Sequence, residues 1–506
     1  MPTTKVKKDS KQTKTVTLKQ YINGKWIEGS DSREIRSINP ANTKETLAIF
    51  KGASKDDALK ALDAAQKAFP AWKATPAPAR ARYIDKVVRL ARQKKEELAK
   101  IMTLEEGKIL PEALGEMEKG INLLEWFVGE GTRFMGQTAP SELSRNLLYT
   151  IREPLGVVSI ITPWNFPWAI PCWKIAPALV AGNTIVFKPA SCTPWMGAEF
   201  VKLFDEAGIP PGVINLVLGS GSSMGDILVE DKRVQAVSFT GSNDIGTRVY
   251  QTAGKRGIKV TCEMGGKNPC VVMDDADMDL AMAGVMKGAF GSTGQRCTAT
   301  SRLIVHERIA DAFIKKMLDE LKVLKVGDGM KPGIGMGPVV DKGQLDTVLG
   351  LIETAKKEGA KLIFGGGKPQ GAEFENGYYV EPTVFDNCTD DMTIYQEEVF
   401  GPVLVIRRVK SFEEAVKSAN CVRYGLTSAI YTQDISLAMR FVEETEVGMT
   451  HINSPTIGGE AQVPFGGTKE SGVGEREMAK EGIFFFSKPK TVFLDYTGTK
   501  RKSSIY

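Results

Sequence analysis

Val157-Val158-Ser159-Ile160-Ile161 is the first of four short apolar runs that decide the fold of this 506-residue chain. The other three cover residues 184–187, 214–218 and 234–239, and segments with a helical pattern, such as 196–207 and 223–230, lie between them. Short, continuous apolar runs are typical of strands buried on both faces of a parallel sheet. Strands that alternate with helices predict a doubly wound α/β fold, and such sheets bind ligands at the carboxyl ends of their strands.

The same alternation returns after residue 262 and predicts a second α/β domain. Strands are expected at 269–272, 302–305, 403–409 and 428–431, with helices at 280–290, 309–323, 345–358 and 412–419. Before the first sheet, Asn23-Gly24 predicts a hairpin turn, and residues 54–116 have a helical pattern. Strands near Leu147 and at 491–494 belong to neither pattern and favour a small β element used between subunits.

These patterns predict the following domain organisation. Residues 1–18 are rich in lysine and lack apolar periodicity, which predicts a flexible basic tail. Residues 19–130 and 154–262 are expected to form a dinucleotide-binding domain, and residues 263–476 a catalytic domain. Residues 131–153 and 477–506 are expected to form the oligomerisation element.

The composition excludes several classes of protein. Hydrophobic residues make up 42% and charged residues 25%, as in ordinary globular proteins, and a net charge of +5 gives no case for nucleic-acid binding. No uncharged apolar run approaches the ~18 residues that a membrane span needs. Seven cysteines without a Cys-x-x-Cys pair favour a reducing compartment, with the cytoplasm as the default, and argue against zinc; no metal site is expected.

Cys297 is the leading candidate for catalysis. It follows small and polar residues rather than a core-like run, and the adjacent Arg296 is expected to favour the thiolate. Glu263 ends an apolar, β-branched run just before two glycines, where a carboxylate can act as a general base. Thiol and carboxylate together predict covalent catalysis through an acyl-enzyme that is then hydrolysed. The alternatives are an inert cysteine and a paired or solvated glutamate.

Polar or glycine-rich pieces follow each strand of the first sheet. Asn165 lies between two prolines and can act either as a hydrogen-bond donor to an oxyanion or as a turn cap. Lys188 can either bind a phosphate or ribose or face solvent. The glycine-rich pieces after the third and fourth strands are Gly219-Ser220-Gly221 with Gly225, and Gly241-Ser242. Because backbone amides at a helix N-terminus bind anions, four such pieces on successive strand ends predict a ligand cleft.

In the second domain, Glu398 and Phe400 are spaced so that one can hold a sugar hydroxyl while the other braces a flat ring. The alternative is a turn with surface acids.

Together these motifs resemble the aldehyde dehydrogenase superfamily, from about residue 21 to the end. The Pro-Trp-Asn, Lys-Pro, Phe-Thr-Gly-Ser, Glu-x-Gly-Gly-Lys, Gly-Gln-x-Cys and Glu-x-Phe-Gly-Pro pieces occur in the family's order. The resemblance implies that Cys297 is the nucleophile, Glu263 the base that activates water, and Asn165 an oxyanion donor. The implied cofactor contacts are Trp164, Lys188, Ser191, Gly221, Gly225, Gly241, Ser242, Met264, Glu398 and Phe400. The implied reaction oxidises an aldehyde to a carboxylic acid with NAD(P)+, through a thiohemiacetal and a thioester on Cys297.

The resemblance also bears on cofactor choice and assembly. Ser191 stands where members that favour NAD often carry a glutamate, which would repel a 2′-phosphate. Lys188 would then pair with that phosphate, so NADP is expected to be preferred over NAD. The strand near Val492 and the helix after Asp226 imply a homodimer or a homotetramer.

For the substrate, the nearest likeness is the α-ketoglutarate semialdehyde type, followed by succinate and glutarate semialdehyde dehydrogenases. Arg296 would pair with the remote carboxylate of a small anionic semialdehyde, or equally form an internal ion pair. Trp168, Trp173 and Phe465 favour an apolar passage, which would equally suit a neutral aliphatic or aromatic aldehyde.

Two other classes of protein stay open. A cysteine-dependent hydrolase needs a histidine to activate the thiol, and the chain has only His306 and His451, neither in a motif. A non-catalytic binding protein that keeps the fold is opposed by the joint presence of Cys297, Glu263 and Asn165.

Overall fold

The computed structural model describes residues 15–499, beginning with short strands and a helical layer. Its first elements are β1 (Val16–Thr17), β2 (Gln20–Ile22), β3 (Lys25–Ile27), β4 (Glu34–Ile38), β5 (Thr46–Lys51), α1 (Lys55–Ala74), α2 (Ala77–Gln93), α3 (Lys95–Glu106) and α4 (Leu110–Arg133). The predicted hairpin is confirmed, since Asn23 and Gly24 join β2 to β3 with φ of 52° and 75°, as its turn type requires. Ser54 caps α1 in a capping box with Asp57.

The predicted basic tail is partly wrong. Residues 1–14 lie outside the described part of the chain, but β1 pairs in parallel with β5 through Val16 and Ala48. Leu18 is buried beside this pair. A two-residue strand is too short to carry a periodic signal, so the sequence pattern missed it.

The first large sheet confirms the doubly wound α/β prediction. The chain continues through β6 (Thr138–Ala139), β7 (Asn146–Pro154), β8 (Val157–Ile161), α5 (Ala169–Ala181), β9 (Thr184–Lys188), α6 (Pro194–Glu206), β10 (Ile214–Leu216), α7 (Gly221–Met224), α8 (Ile227–Glu230), β11 (Val234–Thr240), α9 (Asn243–Arg256) and β12 (Lys259–Glu263). Strands β10, β9, β8, β11 and β12 are neighbours in that order and all parallel. The chain order reverses between β8 and β11, which is where such sheets bind nucleotides.

A second α/β sheet follows, as predicted. Its part of the chain contains β13 (Asn268–Val272), α10 (Met278–Phe290), β14 (Thr300–His306), α11 (Glu307–Val323), α12 (Lys342–Lys357), β15 (Lys361–Phe364), β16 (Thr383–Asp386), α13 (Thr393–Gln396), β17 (Val403–Val409), α14 (Phe412–Asn420), β18 (Tyr424–Gly425), β19 (Thr427–Tyr431), α15 (Ile435–Glu444) and β20 (Met449–Ile452). The sheet order is β15-β16-β17-β14-β13-β19-β20, and only the β15–β16 pair is antiparallel.

The last elements return to earlier parts of the fold. They are β21 (Thr468–Lys469), β22 (Gly472–Val473), α16 (Ala479–Phe485) and β23 (Ser487–Asp495). Strand β22 pairs antiparallel with β12 and completes the first sheet, whose order is β22-β12-β11-β8-β9-β10-β2-β3. Residues 472–473, expected in the catalytic domain, therefore contribute to the first large sheet, and the other predicted boundaries stay predictions.

A separate antiparallel sheet joins two distant segments. Strand β23 pairs with β7 along its whole length, from Ser487 opposite Pro154 to Asp495 opposite Asn146, and β6 adds a third strand. This is the small β element that the sequence pattern predicted near Leu147 and at 491–494.

Within residues 15–499, no helix is both long enough and apolar enough to cross a membrane.

Candidate active site

The carboxyl ends of the first sheet open into a cleft that consists of two adjoining cavities. The larger, of about 770 Å³, is lined by residues that follow four parallel strands, among them Trp164, Lys188, Gly221, Gly225, Gly241 and Ser242. The smaller, of about 240 Å³, shares Trp164, Gly241 and Ser242 with the first and is also lined by Asn165 and Cys297. The polar and glycine-rich segments at the strand ends, each of which is weak evidence by itself, therefore line one site together with Cys297, the candidate nucleophile.

Helix α9 gives the larger cavity an anion-binding end. Ser242 is its N-cap residue and lines both cavities, so the first amides of a 14-residue helix face the cleft. Such amides and the helix dipole favour a negative group such as a pyrophosphate.

Lys188 and Ser191 differ in their positions. Lys188 ends β9 and lines the larger cavity, and burial lowers the pKa of its ammonium to about 8. Ser191 is exposed, does not line the cavity, and donates its hydroxyl to the Gly219 carbonyl at 3.0 Å. Across the same cavity, Arg248 pairs with Asp226 at 3.1 Å.

The smaller cavity has the shape of an aromatic slot. The ring of Phe400 lies edge-on to Trp164 at 5.3 Å, and its backbone has a φ of 54°. Gln344 donates to the carbonyls of Val399 and Phe400 at 3.1 and 2.9 Å, which fixes this loop. A positive φ on a bulky residue is strained, so the loop that carries Phe400 is held in place by its surroundings.

Glu398 and Met264 lie in the same cavity. Glu398 accepts a hydrogen bond from the Gly266 amide at 2.9 Å, and burial raises its pKa to about 7. The carboxylate therefore lies close to the loop that follows Glu263.

Cys297 follows a 3-10 turn, Gly291–Gly294, in which Ser292 and Thr293 have φ of 49° and 59°. The thiol is partly buried at the inner end of the smaller cavity. Burial raises its pKa to about 12, the carboxylates of Glu398 and Glu263 add to the rise, and the ammonium of Lys119 opposes it. A neighbouring group must therefore take the proton before the sulfur can attack at neutral pH.

Asn165 lines the smaller cavity beside Cys297 and is held from two sides. Its side-chain amide donates to the Gln295 carbonyl at 3.0 Å. Its own carbonyl accepts from the buried ammonium of Lys108 at 2.6 Å, and Lys108 also pairs with buried Glu116 at 2.6 Å. Because both lysine and glutamate are enclosed and paired, they fix the peptide of Asn165 relative to the nucleophile.

Glu263 ends β12 and is buried outside both cavities. Burial raises the pKa of its carboxyl group well above the ordinary range, the charge of Glu477 adds to the rise, and Lys174 and Arg476 oppose it. Lys174 forms an ion pair with Glu477. A carboxyl group whose pKa is raised by burial binds a proton more tightly than a free glutamate, as a general base must.

The guanidinium of Arg296 is held by partners other than the thiol, and its effect on the thiolate stays a prediction. Its guanidinium lies 3.5 Å from Glu112, donates to the Ser292 hydroxyl at 2.8 Å and lies 5.4 Å from the ring of Phe166. This is the internal ion pair that the sequence left open as the alternative. The ammonium of Lys119 lowers the pKa of Cys297 and so favours its thiolate.

Trp168 is also misplaced by the sequence interpretation. It is fully buried in the core, donates to the Met117 carbonyl at 3.1 Å and packs edge-on against Phe200, so it cannot line a substrate passage. Trp173 and Phe465 do lie together, with ring centroids 5.6 Å apart, and the Trp173 indole donates to Glu477 at 2.7 Å.

The sequence interpretation missed Lys119, Gln344 and the Lys108–Glu116 pair. Gln344 and Lys108 carry no motif, because tertiary packing alone brings them to the site. A signal existed for α4, since Glu116 lies on the buried face of that helix and Lys119 follows one turn later. Charged groups along an apolar helix face are rarely buried without a reason.

Within residues 15–499, no hydrogen bond joins either histidine to Cys297. The His306 ring contacts the Lys410 carbonyl at 3.1 Å and accepts from the Arg308 amide, capping α11. His451 lies on β20, and burial lowers its pKa. The geometry therefore gives no support to a cysteine–histidine hydrolase.

Comparison with known proteins assigns the fold to a family. The family model described as the aldehyde dehydrogenase family matches residues 26–492. An α-ketoglutaric semialdehyde dehydrogenase of Bacillus subtilis (strain 168) is 45% identical over 482 residues, which cover 95% of this chain and 99% of that protein. A 2,5-dioxopentanoate dehydrogenase of Saccharolobus solfataricus is 44% identical over 477 residues, covering 94% of this chain and 98% of that protein. A crystal structure of betaine aldehyde dehydrogenase from Staphylococcus aureus in complex with NAD+ matches with a TM-score of 0.93 and 35% identity, over 96% of this chain and 95% of that chain. The chain therefore belongs to the aldehyde dehydrogenase family, as its motifs predict, and is an oxidoreductase.

Proposed function

We propose that this protein oxidises a small aldehyde that carries a distant carboxylate, of the α-ketoglutarate semialdehyde type, to the corresponding dicarboxylic acid. The observation that carries the proposal is the cleft that joins the nucleotide-binding strand ends to Cys297. Relatives at 44–45% identity, which are named for α-ketoglutarate semialdehyde or 2,5-dioxopentanoate, support the substrate class.

The cleft fits a nicotinamide dinucleotide. Its larger cavity has the helix N-terminus and glycines for a pyrophosphate, with Lys188 at the ribose end. Its smaller cavity has Glu398 for a ribose hydroxyl and the Trp164–Phe400 slot for a planar ring. When bound, the nicotinamide accepts the hydride that leaves the substrate carbon.

The chain's own residues carry the remaining chemistry. Glu263 takes the thiol proton of Cys297 and passes it to solvent, and the sulfur then attacks the carbonyl carbon. The side-chain amide of Asn165 stabilises the oxyanion of the resulting thiohemiacetal. Oxidation leaves a thioester on Cys297. Glu263 then takes a proton from water, which attacks the thioester carbon and releases the acid with the sulfur as leaving group. Each oxyanion donor of this kind is worth about 3 kcal/mol of transition-state stabilisation.

We further propose that NADP is accepted and preferred. The buried ammonium of Lys188 in the larger cavity supports this, because a 2′-phosphate is a natural partner for it. Ser191 supports the preference for NADP less directly. The residue does not line the cavity, and because position 191 is a serine, it carries no carboxylate that would repel a 2′-phosphate.

A panel of matched aldehydes tests both proposals. Catalytic efficiencies would be measured for ω-carboxylated aldehydes and neutral aldehydes of the same length, each with NADP and with NAD. We expect at least about a tenfold preference for the carboxylated member of each pair, since one charge-assisted contact discriminates by that much. A strong preference for NAD would contradict the cofactor proposal and leave the substrate proposal intact.

Neutral aliphatic or aromatic aldehydes are the second candidate substrates. The Trp173–Phe465 pair supports them, because its faces are apolar. Equal efficiency across the matched pairs would favour this candidate.

The proposal also includes a cytoplasmic homodimer or homotetramer. All seven cysteines are free thiols, which agrees with a reducing compartment. The exposed apolar residues of the β23–β7 sheet support assembly between subunits.

A further inference from the structure

Lys119 is a partly buried cation close to the nucleophile. It lies on α4, one turn after Glu116, and its ammonium is 5.4 Å from the centre of the Trp173 ring. Burial lowers its pKa, and the charges of Cys297 and Arg296 act on it. Lys119 in turn opposes the rise in the pKa of Cys297, so the two groups share one electrostatic environment.

The two carboxylates that most closely precede Lys119 on α4 are both already paired: Glu118 with Lys95, and Glu116, whose charge acts on Lys119, with Lys108. Glu116 pairs with Lys108 at 2.6 Å and accepts from the amides of Trp168 and Ala169 at 2.9 and 3.1 Å. Within residues 15–499, no carboxylate forms a salt bridge with Lys119. A lysine in an apolar setting without an anionic partner is costly, and binding an anion offsets that cost.

The surroundings of Lys119 are largely apolar. Trp173 packs against Phe465, and the bond from its indole to Glu477 holds the ring in one orientation. A β-carbon built on Gly459 would lie 3.8 Å from the Lys119 ammonium and 3.9 Å from the Phe465 ring, so the Gly459 backbone lies beside both groups. The charges of Lys119 and Cys297 act on each other, so these apolar surroundings lie within electrostatic range of the thiol.

We infer that Lys119 is a specificity-determining residue that binds the distal carboxylate of the aldehyde while the aldehyde carbon meets Cys297. This inference rests on the proposed function and assigns its charge recognition to one side chain. Arg296 is excluded from that role because Glu112 and Ser292 already hold its guanidinium. The Trp173–Phe465 pair contacts the methylene groups between the two ends.

The test compares 5-oxopentanoate with pentanal, which differ only at the end remote from the aldehyde. Catalytic efficiency for each would be measured in the wild type and in K119M, K119Q and K119R, with K100M as the control that removes an exposed lysine elsewhere. We expect K119M and K119Q to lower the ratio of the two efficiencies about ten- to a hundredfold, mainly through KM for 5-oxopentanoate. K119R should keep the ratio within about threefold of the wild type, because it retains the charge. K100M should leave the ratio unchanged.

The possible failures are distinguishable. If the wild type oxidises pentanal as efficiently as 5-oxopentanoate, the proposed substrate class falls and the inference falls with it. If the wild type prefers 5-oxopentanoate and K119M and K119Q keep that preference, the assignment to Lys119 alone is overturned. Parallel loss of both efficiencies in K119M and K119Q, without rescue in K119R, would show a purely structural role and would also overturn it. A ratio that falls in R296M but not in K119M would assign the carboxylate to Arg296.

Discussion

At the scale of single residues, neighbours in sequence and neighbours in space differ around Cys297. Arg296 is adjacent in the chain, yet its guanidinium is held by Glu112 and Ser292. Lys119 lies 178 positions earlier in the chain and supplies the cation that acts on the thiol. Cys297 could be singled out as the candidate nucleophile because the residues before it are small and polar. Its electrostatic partner could not, because only the packing of α4 against α5 brings it there.

Glu263 is expected to govern the pH dependence of thioester hydrolysis. A base must be deprotonated to act, and the pKa of this carboxyl group is raised by burial and by Glu477. Hydrolysis should therefore speed up as pH rises, with the acidic inflection well above the ~4.3 of a free glutamate. Glu263→Gln should abolish this increase of the hydrolysis rate with pH. The variant should release about one reduced cofactor per site as a burst and then turn over about 10²- to 10⁴-fold more slowly than the wild type. Stopped-flow absorbance across a pH series measures both quantities.

Glu477→Gln is a second test, for which the direction of the change in the pH inflection can be stated. It removes the charge that raises the pKa of Glu263 and frees Lys174, so the inflection should move to lower pH. Glu475→Gln is the matched control, since that exposed carboxylate pairs with Lys259 instead. An inflection that stays in place in Glu477→Gln would contradict the electrostatic origin given for it.

At the scale of elements, the sequence predicted most strands and helices but not the shortest pairings. Runs such as β8 are continuously apolar because both faces are covered, and α5 is buried along its whole length. Strands β1 and β22 contain two residues each and carry no periodic signal. Trp168 was misread for a related reason: its apolar pattern is the same in a core as in a substrate passage. Its burial is decided by contacts with α4 and α6.

Two glycines of α9 lead to opposite expectations. A β-carbon on Gly246 would lie 2.5 Å from the Met264 sulfur, whereas one on Gly254 meets nothing within 4 Å. Gly246→Ala should displace Met264 or the start of α9, both of which line the cleft, and weaken cofactor binding about tenfold. Fluorescence titration with NADP measures the dissociation constant.

Gly254→Ala is the control on the same helix. It should leave the dissociation constant unchanged and stabilise the helix by about 0.5–1 kcal/mol, because alanine loses less backbone entropy than glycine. Equal affinity in the two variants would contradict the close packing of α9 on Met264.

At the scale of the whole molecule, the β23–β7 sheet presents an apolar surface to solvent. Leu147, Ile151 and Leu494 share one face of the sheet and are all more than 40% exposed, whereas Phe493, 72% exposed, lies on the opposite face. Contiguous exposed apolar residues of this kind mark interaction sites. Both strands were predicted from the sequence, yet which surface they leave open depends on pairing between segments more than 300 residues apart.

Leu494→Glu is expected to reduce the assembly to a smaller species. A carboxylate on this face would have to be desolvated between subunits, which costs several kcal/mol when it is unpaired. Light scattering after size-exclusion chromatography measures the molar mass. Val323→Glu, at a 70% exposed position on α11, is the control that should leave the mass unchanged. An unaltered mass in Leu494→Glu would remove this sheet from the interface.

The pairing of β22 with β12 limits how the molecule can move. Cys262 and Glu263 face Val473 and Gly472 across this ladder, and the Met264 amide bonds the Ser471 carbonyl at 2.8 Å. Because β22 belongs to the first sheet while β21 pairs with β18, a hinge that swung the two large sheets apart would have to bend the chain at Glu470 and Ser471, beside Glu263. We therefore expect the nucleotide to come and go through a gap of nearly constant width, with rotations of individual side chains such as Glu398 and Phe400 as the moving parts. Turnover in this enzyme is then paced by local rearrangement rather than by opening and closing of lobes.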